Sequence, residues 1–148
     1  MGKGEFERIE TYFAPLAADF AGALGLLDDA AILSPGPDQS VVVTTDTIVE
    51  GVHYIGDEAP DLIARKLLRV NLSDLASMGA VPYAYTLNVA FPHSVSDDWL
   101  EAFAAGLRAD QREFAVHLAG GDSVSTRGPT VLTWPQYSSC WGWTSGSP

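Results

Sequence analysis

The sequence predicts a single α/β or α+β domain, and three observations carry that reading. Segments with strand-type alternation and β-branching take turns with segments of helical spacing along the chain. The 148 residues are 47% hydrophobic and 18% charged, the balance of a globular domain rather than of a disordered or membrane chain. A chain of this length buries on the order of 70% of its unfolded surface, so a core forms without disulfide or metal staples.

In "EFERIETYFA", Phe6, Ile9, Tyr12 and Phe13 stand close to helical spacing and predict a short amphipathic helix that Pro15 ends or turns. Pro35, Gly36 and Pro37 then mark a loop. After it, "VVVTTDTIV" reads as a β-branched strand. Helical periodicity runs from Asp61 to Met78, with Asp61 as the cap and Gly79 as the stop. A second strand, "YAYTLNVAF", starts at Tyr83, and Ser96 caps the helix that begins "DDWLEAFAAGL". "FAVHLAGGD" is a strand running into a glycine turn, and "GPTVLTW" is another strand. From Trp134 onward "WPQYSSCWGWTSGSP" shows no periodicity, so the expected division is a folded domain over 1–133 and an irregular tail over 134–148.

Nineteen acids against eight bases give a formal charge of -11, which argues against a nucleic-acid partner because phosphate backbones require a basic face. The lone Cys140 cannot form an internal disulfide, which suits a reducing compartment. There is neither a basic-then-apolar leader nor a run of about 18 apolar residues. The expectation is a cytoplasmic protein with no membrane partner.

The acids fall in four places: Asp28 and Asp29 in "LLDDAAIL", Asp46 in "TTDT", Asp74 in "NLSDLASMGA" and Asp122 in "AGGDS". Each also fits a turn or cap. Asp74 is the sharpest case, because it continues a helical stripe of Ile63, Leu67 and Val70 and sits near a helix C-terminus, where the macrodipole disfavours negative charge. Lys66 lies two turns away, too far for direct pairing, so a metal ion is the simpler partner. Asp46 shares a strand face with Thr44 while Thr45 points the other way. Oxygen-only ligands of this kind suit Mg²⁺ better than zinc. Gly120 and Gly121 let backbone N–H groups approach a phosphate, with Asp122 able to hold the neutralising metal. No Walker A pattern is present, so a nucleotide would be held mainly through metals.

In order, "GEFERIETYF", "DDAAIL", "TTDTIVEGVHY", "KLLRVNLSDLASMGAVP" and "HLAGGDSVSTRGP" resemble the N-terminal domain of bacterial thiamine-monophosphate kinase, over roughly Gly4 to Thr133. The resemblance implies an α+β domain of the aminoimidazole-ribonucleotide synthetase-like ATP-binding superfamily, a mixed or antiparallel sheet packed with helices. It implies transfer of phosphate from ATP to thiamine monophosphate, giving thiamine diphosphate, with several Mg²⁺ ions and no side-chain nucleophile. By the same resemblance Asp29, Thr44, Thr45, Asp46, Asp74 and Asp122 are magnesium ligands, Gly121 and Asp122 meet ATP, and His53 meets the thiamine substrate. A homodimer is expected, paired through the strands. The rival readings are another synthetase of the superfamily, acting on aminoimidazole ribonucleotide or selenophosphate, and a metal-binding or dimerising remnant without turnover. Two departures stand out: Leu27 occupies a position where the family usually has glycine, and the family's second domain does not follow Thr133. On that reading the chain is a truncated form with little activity of its own.

Overall fold

The computed structural model describes residues 4–28 and 30–141. Its opening helix is built in three pieces: α1 (Glu5–Arg8), a π-helical turn (Ile9–Phe13) and α2 (Ala14–Ala17). Pro15 does not end the helix. The wider turn sends the Ala14 N–H to the Ile9 carbonyl and puts Pro15 in the first turn of α2, where a missing N–H leaves no bond unmade. A 3₁₀ segment, Ala21–Leu26, follows, with left-handed backbone at Leu24, Gly25 and Leu26. Leu27 adopts φ -100, so this position itself does not need glycine.

Strand β1 (Gln39–Val49) leads to α3 (Pro60–Ser77), which enters through Pro60 after the N-cap Ala59. Asp61 is therefore a first-turn acid rather than the cap. The predicted stop holds: Gly79 takes φ 63, and the N–H groups of Gly79 and Ala80 return to Ala76 and Leu75. Strand β2 (Val81–Pro92) precedes α4 (Asp97–Phe114), whose N-cap Ser96 accepts a bond from the Trp99 N–H at 3.1 Å. Strands β3 (His117–Thr126) and β4 (Val131–Trp141) complete the order.

The sheet is mixed, in the order β1-β4-β2-β3, with β4 antiparallel to both neighbours and β2 parallel to β3. Helices α3 and α4 pack together, α3 covering β1 and β4. Gly106 allows their close approach, since a Cβ there would lie 2.4 Å from the Asp61 carbonyl oxygen. The buried core joins both helices, the N-terminal segment and the sheet through Phe13, Leu67, Leu68, Tyr85, Phe103 and Leu107. Across the helix seam the Arg69 guanidinium grips the fully buried Asp110 carboxylate with two bonds of 2.8 Å and reaches Glu113 at 3.0 Å. Those bonds, the one to Asp110 first, hold the Arg69 pKa above its ordinary value.

The reading of 134–148 as irregular is corrected over its first half. Residues 134–141 are the body of β4, paired with β1 from Asp46↔Trp134 to Gln39↔Trp141. Period-two burial is present, with Trp134, Gln136 and Ser138 inward. Two of those three are polar, and Pro135 interrupts the donors, which is why the alternation does not read as a strand. Residues 142–148 lie outside the described residues.

Candidate active site

Strand β1 alternates as its sequence requires. Thr44 and Asp46 share the helix-facing side, whereas Thr45 is exposed on the other face with Val41, Val43 and Thr47. Helix α3 carries Asp74 alongside, and the Thr44 Oγ1 donates to Asp74 Oδ2 at 3.3 Å. Asp74 thus ends the apolar stripe on an exposed shoulder, where a hydroxyl meets it and, among the described residues, no cationic side chain does. Lys66 is directed elsewhere, to the carbonyl oxygen of His53.

At the opposite edge of the sheet, Asp122 sits across from Asn88 on β2. Gly121 is required by packing: at φ 156, an added Cβ would fall 1.9 Å from the Leu87 carbonyl oxygen. Gly120 has open space at the same point. Asp28, Gly121, Asp122 and Ser123 form the polar rim of a cavity of about 100 Å³ whose floor is Phe13, Leu87, Val89 and Leu118. That is below the few hundred Å³ that enclose a drug-sized ligand. Asp29 lies outside the described residues, and its neighbour Asp28 is the acid seen at this rim.

The expected ligands therefore fall into two groups, Thr44, Asp46 and Asp74 on the β1 side and Asp122, beside Asp28, on the β3 side. Two strands separate β1 from β3, so the edges are about 14 Å apart at the usual strand spacing. Among the described residues no group of three or more His, Cys, Asp or Glu is placed to hold a metal. Asp46, Asp74 and Asp122 nonetheless form no salt bridge there, which leaves hard oxygen donors of the kind Mg²⁺ takes.

Between β1 and α3 the chain makes a compact turn. Val52 and His53 return their N–H groups to the Val49 carbonyl, and Gly51 bonds to Tyr54 at 2.7 Å. The Glu58 carboxylate accepts from Ile55 N–H at 2.9 Å and Gly56 N–H at 2.8 Å, which holds its pKa below the ordinary value. His53 is exposed, and its Nδ1 accepts the Val49 N–H at 3.0 Å. Glu50 accepts the Thr130 N–H, tying the turn to the start of β4. Tyr54 is buried beneath, its hydroxyl pushed up to about 12 chiefly by burial. Sequence reasoning singled out His53 but not Glu50 or Glu58, the carboxylates that accept backbone N–H groups around the turn.

The mixed sheet, the helices on one face and the acids at strand ends define a class, and residues 27–134 match the AIR synthase related protein, N-terminal domain. The chain belongs to that family. Within it, 129 residues are 46% identical to the thiamine-monophosphate kinase of Caulobacter vibrioides, covering 87% of this chain and 37% of that protein. The crystal structure of thiamine-monophosphate kinase from Stenotrophomonas maltophilia K279a superposes with a TM-score of 0.71 at 40% identity, over 78% of this chain and 35% of that one. A structure of AaThiL complexed with AMPPCP and TMP shares the fold at a TM-score of 0.67 and 21% identity, over 92% and 42% of the two chains. The chain thus spans about two fifths of the length of the relatives it resembles.

Proposed function

We propose that this chain is the ATP- and metal-binding part of a thiamine-monophosphate kinase, a cytoplasmic phosphotransferase that makes thiamine diphosphate. The observation that carries the reading is the 46% identity over 129 residues to a kinase of that name. Thr44, Asp46, Asp74 and Asp122, with Asp29 and, through its main-chain carbonyl, Thr45, are the residues proposed to hold Mg²⁺. When bound, the metal would neutralise phosphate charge. Gly121 keeps the β3 backbone flat against β2, so that the rim of the small cavity presents main chain and Asp122 to a nucleotide phosphate. His53 is the proposed contact to thiamine monophosphate. The acceptor is already an anionic phosphate oxygen, so positioning suffices and no strong base is needed. Val41 and Val43, 43% and 56% exposed on the outward face of β1, support a homodimer paired through the sheet.

Mg²⁺ or Mn²⁺ together with AMPPCP is expected to raise the melting temperature of this chain, and Asp46→Ala or Asp74→Ala to remove most of the gain. Equal shifts in parent and variants would sink the metal assignment. The kinase assignment is tested by separating thiamine mono- and diphosphate after incubation with ATP and Mg²⁺. The chain is assayed alone and fused after Thr133 to the remainder of the Caulobacter relative. A fusion that makes no diphosphate overturns it.

A further inference from the structure

The amide of Val49 belongs to an edge strand, and the imidazole of His53 is folded back to accept it at 3.0 Å. A ring nitrogen that accepts a bond carries no hydrogen, so in the neutral ring the hydrogen is on Nε2. His53 is an exposed residue, and no hydrogen bond within the described residues takes up the Nε2–H. It can donate a hydrogen bond, but it cannot ligate a metal or accept a proton while the Val49 bond is in place. Two side chains tie the turn down, one from outside it and one at its end. Lys66, from α3, donates to the carbonyl oxygen of His53 itself, and Glu58 closes the other limb through the N–H groups of Ile55 and Gly56.

We propose that Lys66 and Glu58 are positioning residues that clamp the 49–58 turn so that His53 presents Nε2–H as a fixed donor to a phosphate oxygen. The proposal rests on the reading of His53 as a substrate contact. The acceptor is assigned by charge: the Lys66 ammonium bonds the main chain of the residue that carries the imidazole N–H, a cationic feature on a chain with net charge -11, while the Glu58 carboxylate is turned onto backbone amides. A phosphate can come from thiamine monophosphate or from the nucleotide.

Nitrogen NMR of the ligand-free chain at mildly alkaline pH tests the donor state independently of any function. The expected signature is an unprotonated Nδ1 and a protonated Nε2 at His53, and an Nδ1–H ring overturns the proposal. Thiamine monophosphate, thiamine and AMPPCP are then titrated in separate arms. A shift of the Nε2–H resonance with thiamine monophosphate but not thiamine supports a substrate phosphate, and a shift with AMPPCP alone supports a nucleotide phosphate. If thiamine shifts it equally, or if calorimetry shows the phosphate ester binding while His53 stays silent, the donor role falls and the kinase reading survives. If the chain binds neither phosphate compound, both the donor role and the substrate reading fall, whatever the tautomer. Lys66→Met is expected to weaken binding of the responding phosphate ligand about tenfold, the loss of one hydrogen bond's worth, with Lys66→Arg restoring it. Unchanged affinity and tautomer in Lys66→Met overturn the clamp.

Discussion

The seam between α3 and α4 and the inward face of β4 both bury polar side chains, and they do so in opposite ways. At the seam, Asp110 is fully buried yet both carboxylate oxygens are taken by one guanidinium, which also lies 5.3 Å over the Phe114 ring. On β4, the Trp134 Nε1, both polar atoms of the Gln136 amide and the Ser138 Oγ are buried with no partner among the described residues. Burial alone does not determine whether a polar group holds a fold together. What matters is whether the fold supplies its complement, because an unmet buried donor or acceptor costs about 1–3 kcal/mol.

The largest expected effect comes from breaking the satisfied side. Asp110→Ala strips the guanidinium of its buried partner and should lower stability by on the order of 3 kcal/mol, measured by urea denaturation. A loss under half a kilocalorie would place the seam among ornamental surface pairs. Repairing the unsatisfied side should act in the other direction. Gln136→Leu removes two orphaned atoms at roughly constant volume and is expected to stabilise by about 2 kcal/mol, with Ser138→Ala adding about 1 kcal/mol. Destabilisation by both would show that these atoms have partners after all.

The smallest effect belongs to the exposed but satisfied turn. Glu58 has its carboxyl pKa depressed by the Ile55 and Gly56 amides, so its contribution is complete above the ordinary value of 4.5 and is lost as pH falls through the folded value. Exchange of the Ile55 and Gly56 amide hydrogens, corrected for intrinsic rates, is expected to lose protection in that acid range. The same pH profile in Glu58→Gln would refute the assignment.

Much of this architecture was legible in the sequence, and where it was not the reasons are physical. Strand β1 and helices α3 and α4 show in apolar spacing, and the Ser96 and Gly79 termini show in cap chemistry, because both are local. Pro15 misled because a π turn relocates a proline without ending the helix. The start of strand β4 was legible in "GPTVLTW", but its continuation past Trp134 was hidden because the inward positions there hold Gln136 and Ser138, so hydropathy no longer marks the buried face. In the site, the face shared by Thr44 and Asp46 followed from period two. The Thr44–Asp74 bond joins residues 30 apart, and the separation of Asp122 from them depends on strand order, which no local pattern encodes. Gly121 was read as letting the backbone approach a phosphate, and no local pattern showed that its missing Cβ is also needed by the Leu87 carbonyl.

Strand order also governs the sequence of events on the ribosome. Strand β4 is made after the other three, yet it inserts between β1 and β2 and, among the described residues, is the sole sheet neighbour of β1. From the synthesis of Val49 until Val131 and its successors emerge, β1 has no ladder to join, and β2 can pair only on its β3 side. Closing that gap means bringing together Val49 and Val131 and, at the far end, Gln39 and Trp141, contacts of the long-range kind that slow folding and leave strand edges open meanwhile. During this interval the nascent chain exposes an unpaired, β-branched ribbon, the kind of segment that molecular chaperones shield.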